Sequence, residues 1–258
     1  MEVQLLNPDV AKNIYKEHGK FACVCYATPE KYAERVGKSC VASGHMSGSR
    51  TSYLNFRVSE VDRGTAEQCL RHEIGVRVPF DMQNNYDGFT DVIPSDEIIK
   101  NMASFRYIDK GGFNYAVPDT IATCPEADHE YAELMKHINE TRLRIKDALI
   151  NSGVPENVAN QDANFVLPRA TTTEFVIGFT PEALIHFCHK RLCTRAQSFI
   201  RCVAQLMKWE VQKVNPEFAE LLVPQCEHYL WCPEGKRSCG RRPSKEEVEA
   251  LIKKGKEK

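Results

Sequence analysis

No apolar run in the chain approaches the roughly 18 residues that a bilayer crossing requires, so the sequence gives no indication of a membrane span. Charge of one sign is also lacking: Lys and Arg number 34 against 35 Asp and Glu, a formal net charge of −1. Without a global field, neither nucleic acid nor an anionic membrane is an expected partner, and any anion must be held by a local group of cations. The opening residues MEVQLLNPDVAKNIYKEHGK have no basic start and apolar middle of a signal peptide. The expected location is cytoplasmic. Cysteine is plentiful, but its eleven copies are odd in number, and Cys69, Cys188, Cys193 and Cys202 sit singly among apolar neighbours. Free cysteine in such places acts as a small hydrophobe, which suits a reducing compartment.

What is present suffices for a sizeable core: 258 residues, 42% of them hydrophobic, in one large domain or two small ones. FACVCYA (21–27) is a short β-prone run. Thr28-Pro29 then opens a helix that Gly37 closes. TSYLNFRVS (51–59) alternates as a half-buried strand does, with Leu54, Phe56 and Val58 on one side. Asp62 caps a helix expected over 63 to about 74, whose apolar side carries Ala66, Cys69, Leu70 and Ile74. Its other side carries Gln68, Arg71 and His72, and Gly75 stops it. Residues 76–100 read as a loop-like insertion.

The clearest helix spans 128–153, with Tyr131, Leu134, Met135, Ile138, Ile145 and Leu149 as its stripe. A short helix follows to about Phe165, then a strand over TTTEFVIGF. Thr180-Pro181-Glu182 opens a helical region that runs to about Val214 with a break near Thr194. The end, KKGKEK, is expected to be disordered. Strands and helices mix without strict βαβ alternation and without a repeat, which indicates the α+β class.

Three places gather arginine with hydrogen-bonding partners. They are Gln68/Arg71/His72, the pair Ser104 and Arg106 two apart in NMASFRY, and HFCHKRLCTRAQ with His186, His189, Arg191, Arg195 and Gln197. A phosphate monoester needs a forked guanidinium plus hydroxyl or amide donors, and these segments hold that inventory. Solvated arginines on polar helix faces account for the same pattern. SGHMSGSR offers His45, Ser47 and Ser49 on glycine-flanked backbone, suited to close approach of a phosphate or flat cofactor, and equally to a polar turn. His186 and His189 could share a helix face, but no third metal ligand follows at a suitable spacing. In the tail, Cys226, Cys232 and Cys239 with His228 have a looser spacing than paired zinc knuckles. Zinc on three cysteines and a histidine, and unligated thiols, both fit it.

Taken in order, SGHMSGS…LNFRVSEVDRGTAEQCLRH, ASFRY, ANFVLPRATTTEF and ALIHFCHKRLCTRAQSFIR resemble the flavin-dependent thymidylate synthases over most of the chain. That family's signature is Arg-His-Arg, a short spacer, then Ser-x-Arg. Here Arg71-His72 stands for the first part and Ser104-Phe105-Arg106 for the second. CPEGKRSCG is similar to the cysteine-bearing C-terminus of some members. The resemblance implies the family's α+β fold, a mixed sheet with long helices, in a homotetramer. It also implies a catalytic domain over 1–222 with the insertion at about 76–100, and a cysteine-containing tail over 223–258.

It further implies reductive methylation of dUMP to dTMP, with FAD as cofactor, methylenetetrahydrofolate as carbon donor and NADPH as reductant. By position, Gln68, Arg71, Ser104, Arg106 and Arg191 would bind dUMP. Arg191 would also act catalytically by stabilising negative charge at the pyrimidine edge, so that no cysteine nucleophile is needed. His45, Ser47, His72, Glu73, Ile74 and His186 would surround FAD, and the redox chemistry would be the cofactor's.

The chain departs from the pattern at several places. Glu73 reverses the charge of the signature's third residue, and about two dozen residues separate its halves. Met102 replaces an acid, and Arg195 replaces a histidine. Asn164 stands for an arginine, with Arg169 near in sequence. Two other outcomes are compatible with these changes. One is hydroxymethylation of dUMP or alkylation of another pyrimidine nucleotide, and the other is flavin or nucleotide binding without turnover.

Overall fold

A computed structural model describes residues 1–71, 76–77, 92–93, 98–103 and 112–256. The strands are β1 (Glu2–Leu5), β2 (Leu54–Asp62), β3 (Val76–Arg77), β4 (Val92–Ile93), β5 (Ile98–Met102) and β6 (Thr172–Phe179). The helices used below are α1 (Pro8–Lys12), α2 (Ile14–Cys25), α3 (Ala33–Ala42), α4 (Arg63–Leu70), α5 (Asp119–Ala122) and α6 (Pro125–Asn151). They continue with α7 (Glu156–Ala163), α8 (Pro181–Arg191), α9 (Ser198–Val214), α10 (Pro216–Ala219), α11 (Gln225–Tyr229) and α12 (Lys245–Lys256). Four strands pair in the order β1-β2-β6-β5, while β3 and β4 pair antiparallel with Val76 opposite Ile93. The α+β expectation agrees with this mixture of helices and a small sheet. Among the described residues, no helix is long and apolar enough to cross a membrane.

Two compact units divide the chain: one is Met1–Glu2, Val58–Leu70 and Asn101–Val176, the other Val3–Arg57, Arg71–Lys100 and Ile177–Lys258. Strands β2 and β6 each run from one into the other.

In the second unit, FACVCYA is not a strand but the end of α2. The local β preference of its residues is overruled by tertiary packing. Gly19 of α2 lies so close to α3 that a Cβ there would stand 1.7 Å from the Ala33 carbonyl oxygen, and one on Gly37 would stand 1.8 Å from that of Tyr15. Gly37 therefore does not close the helix; it sits inside α3, which follows a 3-10 turn over Glu30–Tyr32 and ends before Gly44 at φ +75°. Buried in this unit are Leu54, Phe56, Ile177, Phe179, Leu184, Phe187 and Ile200, each contributing about 1.5–3 kcal/mol of transfer free energy.

Thr180 caps α8 as expected, its hydroxyl accepting from the Ala183 N–H at 3.2 Å. The break after Arg191 separates α8 from α9. Asn215 opens α10: its Oδ1 accepts from the Phe218 N–H at 3.0 Å and its Nδ2 donates to the Ala11 carbonyl at 2.9 Å. Asn215→Ala loses the cap and orphans a buried carbonyl. It is expected to destabilise by about 2–3 kcal/mol, measured in denaturant unfolding. Of the expected disordered end KKGKEK, residues 253–256 belong to α12, which runs to Lys256 with Ser244 and Glu247 exchanging hydrogen bonds at its start; residues 257–258 lie outside the described residues.

In the first unit, Asp62 accepts from the Thr65 N–H at 2.8 Å and so starts α4 as expected, but α4 ends at Leu70. Gly75, the expected stop, lies outside the described residues. The stretch read as a loop-like insertion contains β3, β4 and the start of β5. Helix α6 forms as expected, yet its buried positions are Met135 and Arg142, and Leu134 is 52% exposed.

Candidate active site

The segment SGHMSGSR is a 3-10 turn over Ser47–Thr51 preceded by His45. His45 and Ser47 are exposed and Ser49 is buried, its hydroxyl donating to the Met46 carbonyl at 2.7 Å. This turn packs on α8, where Arg50 Nε meets Glu182 at 3.2 Å. One helical turn beyond Glu182 stands half-buried His186, its imidazole kept below its usual pKa by desolvation and then by Lys190. The structure thus sets His45 and Ser47 on an element packed against the helix that carries His186. His186 favours the neutral form, able to donate from one nitrogen and accept at the other.

Arg191 is the last residue of α8 and half-buried. Its Nε is buried and has no acceptor among the described residues. A fork of donors pointing an unsatisfied N–H inward is costly unless a ligand or neighbour accepts from it. His189, two residues before, has its ring centroid 4.7 Å from that of His228 at a 35° tilt and is pushed down to about 4 by desolvation and then by that neighbour. Among the described residues, no group of three metal-binding side chains is placed to hold an ion.

In the first unit, Gln68 lies half-buried on α4; Arg71, counted with the second unit, is exposed. The entry of α4 is fixed by the Arg63 and Gly64 N–H groups donating to the carbonyls of Thr171 and Arg169. Arg169 reaches Glu67 at 3.5 Å rather than Asn164. The guanidinium beside Asn164 is that of Arg142, whose Nη1 donates to Asn164 Oδ1 at 2.9 Å in a fully buried setting. Sequence reasoning missed Arg142. Its signal was its position seven residues from both Met135 and Leu149, on the apolar stripe of α6.

His72, Glu73 and Ile74, and Ser104 with Arg106, lie outside the described residues. Cys188 is fully buried, and desolvation pushes its thiol up to about 12, unsuited to nucleophilic work. Cys69 is buried as expected of a small hydrophobe, but Cys202 is exposed and Cys193 only half-buried. Cys202 is on the outer side of amphipathic α9, and Cys193 is in the break after α8.

Residues 10–217 match the family described as thymidylate synthase complementing protein. The chain is 31% identical over 211 residues to the flavin-dependent thymidylate synthase of Nitratidesulfovibrio vulgaris, covering 81% of this chain and 77% of that one. To the enzyme of the same name from Pyrococcus furiosus it is 33% identical, over 80% and 73% of the two chains. To that of Geobacter sulfurreducens it is 27% identical, over 85% and 86%. The chain belongs to the thymidylate synthase complementing protein family.

Proposed function

We propose that the chain is a flavin-dependent thymidylate synthase that reductively methylates dUMP to dTMP. Its match to the family from residue 10 to 217 carries this reading. FAD is the cofactor, methylenetetrahydrofolate the carbon donor and NADPH the reductant. When bound, FAD supplies the redox chemistry that delivers reducing equivalents to the transferred carbon. His45, Ser47 and His186 would hold its ring and phosphates together with His72, Glu73 and Ile74. The packing of the Ser47–Thr51 turn on α8 supports that grouping.

Gln68, Arg71, Ser104 and Arg106 would bind the nucleotide, the arginines taking its phosphate. Arg191 would lie at the pyrimidine edge and favour its anionic form. The buried Nε of Arg191, without a partner among the described residues, supports an acceptor-bearing ligand there. The high thiol of Cys188 fits a route without a cysteine nucleophile.

The working unit is a homotetramer in this reading. Phe165 is 85% and Val24 82% exposed, apolar surface of the kind that a partner subunit covers. Free cysteines support a cytoplasmic location, and a net charge of −1 supports small anions rather than nucleic acid as ligands.

The test is incubation of purified protein with FAD, NADPH, methylenetetrahydrofolate and dUMP labelled with tritium at C5. Release of tritium with formation of dTMP is expected. A hydroxymethyl product or no turnover would overturn the assignment. Glu73→Arg is expected to leave FAD affinity unchanged or improved in a flavin-fluorescence titration, because it restores the family's charge. A large loss would show that Glu73 has a specific partner of its own.

A further inference from the structure

Helix α2 carries a buried histidine that the proposed reaction does not use. His18 is only 4% exposed and stands next to Gly19, whose backbone lies against Ala33 of α3. It therefore sits on a part of the helix that cannot shift without parting α2 from α3. Its other neighbour is the Ser47–Thr51 turn, which packs on α2 as it does on α8. The closest approach is at Gly48. A Cβ there would stand 2.9 Å from the His18 carbonyl oxygen and 3.5 Å from Cγ and Cε1 of its imidazole. The ring is thus a floor under the turn, and glycine at 48 lets the turn rest on it.

The ring also holds the turn by a bond. Its Nδ1 is buried and has no partner among the described residues. An orphaned N–H is the costlier of the two possibilities, so the proton belongs on Nε2. The imidazole is hydrogen-bonded to the backbone of His45, and desolvation makes it favour the neutral form. The His45 N–H already donates to the Cys40 carbonyl at 2.8 Å, which leaves the His45 carbonyl as the acceptor for Nε2–H. The His45 backbone is therefore held from α3 through its N–H and from α2 through its carbonyl. Beyond it, the Ser49 N–H and hydroxyl both donate to the Met46 carbonyl, at 2.9 and 2.7 Å. With the backbone fixed in this way, the side chains of His45 and Ser47 are left exposed.

We propose that His18 is a positioning residue for the flavin: it holds the His45 carbonyl and supports Gly48, so that the turn presents His45 and Ser47 already ordered. This inference rests on the reading of His45, Ser47 and His186 as FAD contacts. His18 is too buried to touch the cofactor itself. Its effect is to spare the turn an ordering cost that binding would otherwise carry.

The test is fluorescence titration of FAD into the purified full chain and its variants, each checked for fold by circular dichroism. His18→Phe keeps a ring but has no N–H, and it should bind FAD about tenfold more weakly. His18→Gln puts an amide N–H near the place of Nε2 and should stay within about threefold of the parent. Gly48→Ala lifts the turn off the ring and should lose about as much as His18→Phe. At saturating FAD, kcat for dTMP formation should stay within about twofold of the parent in all three, the change falling on the apparent KM for FAD. Asn215→Ala is the control, because it destabilises through bonds to Ala11 and Phe218 rather than to the turn. It should bind FAD as the parent does. Parent-like affinity in His18→Phe and Gly48→Ala, or an equal loss in Asn215→Ala, would overturn the inference and leave the proposed reaction standing. Should His18→Phe fail to fold, Gly48→Ala decides alone. A parent chain that binds no FAD would overturn the proposed reaction, and this inference with it.

Discussion

Alanine at Arg191 is expected to lower kcat for dTMP formation by at least about a hundredfold, the usual loss when one donor that stabilises developing negative charge is removed. The structure motivates this size of effect. Arg191 ends α8 with a buried Nε that nothing among the described residues satisfies. A purely structural role is the competing explanation, because His189, Lys190 and Arg191 together are well placed to stabilise the C-terminus of that helix. Flavin absorbance and thermal unfolding distinguish the two. The variant should bind FAD and melt within about 8 °C of the parent, since a helix-end cation is worth at most about 2 kcal/mol in a partly buried setting. Arg191→Lys, which keeps the charge but loses the planar fork, should fall between. Parent-like turnover in the alanine variant would remove Arg191 from the chemistry.

The second large effect is on stability. Gly19→Ala places a methyl 1.7 Å from the Ala33 carbonyl oxygen, a backbone atom of the neighbouring helix that no side-chain rotation can move aside. Helices α2 and α3 must separate, and the cost is expected to reach about 3 kcal/mol, at the upper end of overpacking. For a chain of this size that lowers Tm by about 6–12 °C. Gly37→Ala should do the same, for its Cβ meets the Tyr15 carbonyl oxygen at 1.8 Å. Gly44→Ala serves as the comparison. Its φ of +75° is strained for alanine but its surroundings are open, so a loss of about 1 kcal/mol is expected. An unchanged melting curve for Gly19→Ala would show that the two backbones do not touch.

The same glycines explain where sequence reading stops. FACVCYA reads as a strand because its residues favour one locally, and Gly37 reads as a stop because glycine commonly ends helices. Both inferences fail at one contact, the crossing of α2 and α3, which depends on residues brought together from different helices. Where the determinant is local, reading succeeds: Asp62 and Thr180 cap α4 and α8 through their own side chains, and alternation at Leu54, Phe56 and Val58 finds β2.

The site divides along the same line. For the candidate site, the order of the motifs names His45, Ser47, Gln68, Arg71, His186 and Arg191, and all six lie among the described residues. Arg142 beside Asn164 is not so named, since an arginine inside an apolar stripe announces nothing until the fold buries it.

The bond from Asn215 to the Ala11 carbonyl spans 204 residues, and the Leu5 N–H meets Glu210 across 205. A ribosome exposes α1 and α2 long before it makes the helices that receive them. Until α9 and α10 emerge, the nascent chain carries an apolar surface with no cover, open to chaperones and to sticking. The final closure joins the first helices to nearly the last, a distant pairing of the kind that slows folding. Output in a cell is therefore expected to respond more to chaperone supply than to the melting temperature of the finished protein.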